Sequence, residues 1–225
     1  MHESGAKRGA VLLAALFFCL AGWAGAAAPA AAQSTHGFGR FAPVSDVRAG
    51  LLLHDVGKGN KESDTLDASV EIVLWPVRLA RFDNRFLHWL VAPRPVFGGA
   101  LNSAGDTNRV YAGFNWEFTL GRNWFVTPFF GAVLHDGNLD QATEQCPAGG
   151  GCTLPGNRRY VNTGEPTLGS SVLFREAIEA GYVFPGGISL SVIAAHISNA
   201  SLVPDNDGMD FVGLRLGLKF DNRPD

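Results

Sequence analysis

The chain has 225 residues and a formal net charge of −3, and only 17% of its residues are charged. It contains 28 Gly and 16 Phe. A disordered chain is excluded, because such chains are poor in apolar residues and carry a high net charge. The lack of basic runs argues against a nucleic-acid partner. After the N-terminus no stretch approaches the roughly 18 apolar residues of a membrane-spanning helix, so this composition favours a membrane β-barrel.

The N-terminus has the pattern of an export signal. Lys7 and Arg8 precede an almost wholly apolar segment, residues 9–25, which is followed by a run of alanines. A charged, an apolar and a small-residue region in this order are typical of a secretory signal peptide, with an uncleaved anchor as the alternative. We predict a cleaved signal peptide at 1–32 and a single exported domain at 33–225.

Alternation of apolar residues with polar or small ones predicts strands along the rest of the chain. The pattern is clearest at 66–74, 110–120 and 211–220, which have the length of tilted membrane strands. Weaker segments bring the number of predicted strands to eight; they lie near 46–54, 89–101, 123–135, 171–184 and 187–198.

The connections between these strands alternate in length. Residues 121–122 and 185–186 form tight turns, whereas the intervening connections are long and polar, near 55–65, 102–107, 137–170 and 199–209. Short turns at one end and long loops at the other are typical of an outer-membrane barrel. We therefore predict an all-β fold, an eight-stranded antiparallel up-and-down transmembrane β-barrel. The long connection at 76–88 does not follow this rule.

Two soluble folds would also show alternating strands, a lipocalin-like barrel and a periplasmic β-sandwich. Both would have to bury the polar face of the strands in a core, which is costly. A small membrane barrel accepts a polar network in its lumen, so the membrane barrel is favoured. The residues of this face are Glu71, Asn115, Glu117, Arg175, Glu179, Arg215 and Lys219.

Three polar residues interrupt the apolar, lipid-facing side of the last two strands. His196 and Ser198 continue the outward face of the seventh strand, and Asp210 begins that of the eighth at the same membrane level. Residues i and i+2 lie roughly 6–7 Å apart on one side of a strand, and a neighbouring strand lies about 5 Å away. A base that removes the proton of a serine hydroxyl, oriented by an acid, is what ester cleavage requires. The alternative is that these are functionless residues at a wet interface.

The sequence around this trio resembles the lipid A 3-O-deacylases, an outer-membrane acyloxyacyl-hydrolase family. The likeness covers roughly 110–220 and rests on the run from His196 to Ala200, on Asn206, Gly208 and Asp210, and on the segments 129–132 and 179–182. It implies a barrel whose Ser-His-acid triad faces lipid and hydrolyses the acyl ester at the 3 position of lipid A.

By this resemblance Ser198 is the nucleophile, His196 the base and Asp210 the acid, where the family usually has Glu. Asn206 matches a family Asn that could donate a hydrogen bond to an oxyanion, and Asn199 is a second candidate. We expect no organic cofactor and no metal. The expected partners are lipid A, or lipopolysaccharide, as substrate and the surrounding lipids of the outer membrane, while a homodimer is left open.

Two rival functions remain at this point. A non-catalytic barrel would serve as a structural anchor or a conduit for small ligands, and an outer-membrane phospholipase would use the same trio on glycerophospholipids. Cys146 and Cys152 flank a short Gly-rich loop, and in an exported protein they are expected to form a disulfide. His54 and His135 end strands at the outer rim and are expected to be solvated, outside the triad.

Overall fold

The computed structural model describes residues 43–220, apart from 64, 78, 81, 147–153, 156 and 157. The predicted signal peptide at 1–32 lies outside the described residues. Eleven strands and one short helix are present in the described part: β1 Val44–Leu53, β2 Leu66–Leu74, α1 Arg85–Leu90, β3 Arg94–Asn102, β4 Arg109–Asn115, β5 Phe118–Leu120, β6 Trp124–His135, β7 Thr143–Gln145, β8 Arg158–Tyr160, β9 Val172–Val183, β10 Ile188–Ser198 and β11 Met209–Lys219.

The main sheet closes on itself as an antiparallel barrel. Its strands follow the order β4-β3-β2-β1-β11-β10-β9-β6-β5, and an additional pairing between β4 and β6 completes the ring. β4 and β5 are two parts of one interrupted strand, since both pair with β6. The barrel therefore has eight strand positions, as the alternating pattern predicted.

The two faces of the strands meet different surroundings. On β11, Leu214 and Leu216 are 58% and 61% exposed, whereas Phe211 is 1% exposed and points inward. The same alternation runs along β2 and β9. Because the exposed residues are apolar, the outer surface is a belt suited to lipid, in agreement with the predicted orientation.

The lumen is filled by an ion-pair network. Arg48 donates to Glu179 at 3.0 Å between Nη1 and Oε2, and Arg215 donates to Glu71 at the same distance. The Tyr111 hydroxyl accepts from Arg215 and donates to Glu71. These charged groups of the inner face are thus paired across the barrel, which offsets the cost of removing them from water.

The connection between β2 and β3 contains α1, where part of a strand was predicted. Residues 89–93 were assigned to the third strand, but the helix extends to Leu90 and the strand begins at Arg94. Asn84 caps the helix, since its side chain accepts from the backbone N–H groups of Phe86 and Leu87. The helix accounts for the unexpected length of this connection.

Two further differences concern the loops. The predicted strand 110–120 is interrupted at residues 116–117, where the Trp116 N–H donates to the Pro128 carbonyl. The predicted loop 137–170 contains a small hairpin of β7 and β8. No helix among the described residues is long and apolar enough to cross a bilayer.

Candidate active site

The β10–β11 hairpin brings two of the three predicted site residues into contact. Antiparallel register makes His196 and Asp210 direct cross-strand partners. Their Nδ1 and Oδ1 atoms are 2.7 Å apart, a hydrogen bond. The two side chains are only 16% and 24% exposed, although they belong to the outward face. The pairing inferred from strand parity is therefore present as an imidazole–carboxylate contact.

Ser198 lies two residues beyond His196 on the same face of β10. Its cross-strand partner is Phe174 on β9. Among the described residues its hydroxyl makes no hydrogen bond, so the structure does not join Ser198 to the imidazole directly. Since Asp210 occupies Nδ1, the Nε2 atom of His196 remains open to a hydroxyl on this side.

Asn199 organises the loop that follows the strand. Its side-chain nitrogen donates to the carbonyls of Leu168 and Asp205, at 3.0 and 2.9 Å. Its side-chain oxygen accepts from the Ser201 N–H, and its backbone N–H donates to Oδ1 of Asn206. The amide hydrogens of Asn199 are thus committed to the loop, whereas the Asn206 Nδ2 atom donates to no described residue.

The loop adopts left-handed backbone at several positions close to the histidine. Ala200, Ser201 and Asp205 have φ values of 54°, 60° and 60° without being glycine. Gly208 has φ 60°, and a Cβ atom there would lie 3.1 Å from Cε1 of His196. A side chain at this position would crowd the imidazole, so glycine leaves room for the ring.

The loop after β1 supports the hairpin from the other side, a contact that sequence reasoning missed. Asp55 is fully buried, and its Oδ1 atom accepts from the Asp210 N–H at 3.2 Å. The Val56 N–H donates to the Asp210 carbonyl at 2.9 Å, and the Lys58 ammonium donates to the Gly208 carbonyl. Burial raises the pKa of Asp55. This loop therefore fixes the backbone that carries Asp210.

His54 is buried, which corrects the expectation that it is solvated. It follows β1 and is 0% exposed, and its ring nitrogens lie 2.8 Å from Asp67 and 3.1 Å from Glu62. Burial lowers the pKa of His54, but hydrogen bonds to the two carboxylates outweigh burial and raise it to about 9. His54 is thus a protonated member of an ion cluster and forms no part of the pair at His196.

His135 and two residues of the loop at 137–170 also have partners. His135 is half-buried, and its Nε2 atom lies 2.7 Å from the Ser170 carbonyl. Arg159 pairs with Glu144 on the exposed β7–β8 hairpin. Cys146 is disulfide-bonded, but Cys152 lies outside the described residues, so their pairing stays a prediction. Within the described ranges no three His, Cys, Asp or Glu side chains are grouped to hold a metal ion.

Comparison with known proteins identifies the family. The sequence pattern of the family described as "Lipid A 3-O-deacylase (PagL)" matches residues 87–219, more than half of the chain. The chain belongs to this family. The matched region begins within α1 and contains β3 to β11 with the whole β10–β11 hairpin, so the resemblance noted in the sequence is confirmed. PagL enzymes are ester hydrolases by this description.

A curated relative and two solved structures are also similar. Lipid A deacylase PagL from Pseudomonas aeruginosa PAO1 is 45% identical over 54 residues, which are 24% of this chain and 31% of that protein. The crystal structure of the outer membrane enzyme PagL has a TM-score of 0.51 at 20% identity and covers 78% of this chain and 100% of its own. Ail from Yersinia pestis has a TM-score of 0.39 at 9% identity, covering 79% and 99%.

The fold shared with the PagL crystal structure confirms the predicted architecture. This chain is a closed eight-stranded antiparallel β-barrel, the fold of that outer membrane enzyme. The soluble lipocalin-like and sandwich alternatives are thereby set aside.

Proposed function

We propose that this protein removes the ester-linked acyl chain at the 3 position of lipid A, with Ser198 as nucleophile, His196 as base and Asp210 as acid. The observation that carries the proposal is the 2.7 Å contact between His196 and Asp210 on the lipid-facing side of the barrel. Polar side chains are costly there, and less so near the membrane boundary. Membership of the lipid A 3-O-deacylase family supports the choice of substrate.

The first half of the reaction acylates Ser198. Its Oγ attacks the ester carbonyl while Nε2 of His196 takes the hydroxyl proton, and Asp210 holds the ring in the tautomer that leaves Nε2 unprotonated beforehand. As the carbonyl reforms, the bond to the sugar oxygen breaks and His196 returns the proton to that oxygen. Deacylated lipid A leaves, and the acyl chain remains on Ser198.

The second half releases the fatty acid. A water molecule gives its proton to His196 and attacks the acyl carbonyl, and the proton then passes to the Ser198 oxygen as the ester bond to the enzyme breaks. The base and the nucleophile are thus restored, and no proton is gained or lost by the protein over the cycle.

Asn206 suits the role of oxyanion donor better than Asn199. Both amide hydrogens of Asn199 already bind loop carbonyls, and moving them would break two hydrogen bonds. The oxygen of Asn206 is held by the N–H that follows Ser198, which places its amide group beside the nucleophile with Nδ2 open. A donor preorganised in this way stabilises the negative charge that develops on the carbonyl oxygen.

The surroundings of Ser198 fit an acyl substrate held in the membrane. Phe174 faces Ser198 from β9 and stacks on Phe130 of β6, with ring centroids 6.1 Å apart. This aromatic surface continues into the apolar belt of the barrel. A lipid substrate in the outer leaflet therefore reaches the site without leaving the bilayer.

Mass spectrometry of lipid A from outer membranes tests the proposal. Cells expressing the wild type should lose one hydroxyacyl chain, and cells expressing Ser198→Ala at equal levels should not. Ser189→Ala is a matched control, because Ser189 is an inward-facing serine of the same strand. It should deacylate like the wild type.

The rival functions predict other outcomes. If wild type and Ser198→Ala both leave lipid A intact while the barrel is folded in the membrane, the enzyme proposal fails in favour of a structural barrel. Loss of phospholipid acyl chains with lipid A unchanged would identify a phospholipase. Deacylation by both proteins would keep the reaction and reject Ser198 as the nucleophile.

A further inference from the structure

A second carboxylate faces His196 from the strand opposite Asp210. Glu176 of β9 is the direct cross-strand partner of His196, just as Asp210 is on β11. The three residues form one row across the hairpin and its neighbour, and Glu176 shares the outward face with them. Directly opposed residues in antiparallel strands have Cβ atoms about 4.5–5.5 Å apart, so the Glu176 side chain starts beside the imidazole.

Glu176 is unlike the other glutamates of the barrel wall. Glu179, three residues along β9, points inward and binds Arg48, Arg215 and Ser191. The Glu176 carboxylate, by contrast, makes no hydrogen bond or ion pair with any described residue. Its neighbours on the outward face are Phe174 and Ile178. A half-buried acidic group on a lipid-facing surface is costly, and no structural pairing accounts for it.

We propose that Glu176 is a positioning residue for the deacylation, which stabilises the imidazolium that His196 forms each time it takes a proton. The inference rests on the proposed function of Ser198, His196 and Asp210. Glu176 neither gains nor loses a proton in the cycle; its negative charge acts on the ring across the strand pair.

Charged groups on other elements also lie around His196. Asp210 faces the ring from β11, and Asp55 lies behind it. From the loop after β1, the Lys58 ammonium lies 2.8 Å from the carbonyl of Gly208, the residue against the imidazole. A positive charge there opposes protonation of the ring, although part of it is balanced by the neighbouring Asp55 carboxylate. Glu176 approaches from the opposite side and offsets it.

Kinetics of the purified full-length barrel with lipid A test this role. For Glu176→Gln we expect kcat to fall about tenfold with KM within twofold, since the substituted amide keeps the size of the side chain and removes its charge. The acid limb of the kcat/KM profile should move about one unit to lower pH, because the protonated ring has lost a negative neighbour. For Glu176→Asp, which keeps the charge, kcat and the position of the acid limb should both stay close to the wild type. Glu144→Gln, on the exposed β7–β8 hairpin, is the matched control and should behave like the wild type.

Proton NMR of the His196 ring gives a second readout that does not need activity. Its titration midpoint should be lower in Glu176→Gln than in the wild type, with Glu176→Asp in between. An unchanged midpoint would overturn the role of Glu176 even if the barrel proved inactive on lipid A, in which case the proposed function fails separately. A rise in KM alone, with kcat and the pH profile unchanged, would also overturn it and would indicate a contact with substrate.

Discussion

Two histidines near the same end of the barrel have opposite surroundings. His54 is fully buried, and both its ring nitrogens lie against carboxylates, those of Asp67 and Glu62. His196 is on the outward face, with one ring nitrogen on Asp210 and the other free of any described partner. His54 has a pKa of about 9, raised above its usual value by the two hydrogen bonds despite burial.

The contrast separates a structural histidine from the base proposed at His196. A ring held between two acceptors remains protonated at neutral pH and has no lone pair with which to accept a proton. A ring with a single acid partner is oriented and keeps one nitrogen open. Both histidines end or follow a strand beside acidic residues, so the number of occupied nitrogens, and not the presence of an acid, distinguishes them.

Replacing each histidine by glutamine should separate the two roles most strongly. His196→Gln should lower kcat/KM for lipid A by roughly 10⁴-fold, because no base then activates Ser198. For His54→Gln, kcat/KM should stay within about tenfold of the wild type, since the substitution alters the ion cluster and leaves the His196–Asp210 pair intact. Kinetics on detergent-solubilised barrels provide the measurement. Comparable losses of kcat/KM in both variants would contradict the assignment of a structural role to His54 and a catalytic role to His196.

Replacing Asp210, the carboxylate bonded to His196, should give the next largest loss of activity. Asp210→Asn should reduce kcat roughly 10³-fold, because the amide favours the wrong tautomer of His196 and no longer stabilises the imidazolium. Asp210→Glu serves as the control and should keep activity within about tenfold, as it retains the charge and adds one methylene. Full activity of Asp210→Asn would show that Asp210 is not the acid.

The loop after β1 should matter less, through the backbone of Asp210. Asp55→Ala removes the acceptor for the Asp210 N–H and should lower kcat about tenfold, with a loss of about 1–2 kcal/mol in the free energy of unfolding. Asp83→Ala, on an exposed segment before α1, is the control. If Asp55→Ala loses stability without losing activity, the loop stabilises the fold but does not position Asp210 for the reaction.

The smallest effect concerns stability against pH. The pKa of His54 is raised to about 9 by its carboxylate partners against the cost of burial. Its protonation therefore stabilises the fold fully below the ordinary value near 6.5, and this contribution is lost as pH rises through about 9. The Tm of the wild type should exceed that of His54→Gln at pH 6, and the difference should shrink by pH 10. Ser189→Ala, which removes no titratable group, should show no such trend.

Much of the fold follows from the sequence because lipid demands strict alternation. The outward parity of Leu214, Leu216 and Asp210 was readable from the period of two, and the same parity places His196 opposite Asp210. Glu176 could have been found in the same way, since it interrupts an apolar face between Phe174 and Ile178. The pairing within the hairpin could be predicted because its partners are close in the chain.

Other features depend on contacts that no local pattern encodes. The largely apolar run at 86–90 is short enough to suit a strand or a helix, and the cap at Asn84 favours the helix. The contact between Asp55 and Asp210 joins residues 155 positions apart, through the closure of the barrel. The burial of His54 likewise requires Asp67 and Glu62 to meet inside the mouth. Sequence reasoning could place these residues at the rim but could not say which of them would be enclosed.

The filled lumen has a consequence for turnover. The ion pairs among Arg48, Glu71, Glu179 and Arg215 occupy the interior, so in the proposed reaction substrate and product exchange sideways with the surrounding leaflet. The relevant concentration is then the mole fraction of lipid A in the two-dimensional film and not its amount per volume. Diluting lipid A with an inert lipid, at a constant bulk concentration of lipid A, should slow the reaction. An enzyme whose substrate entered through the lumen would not show this surface dilution.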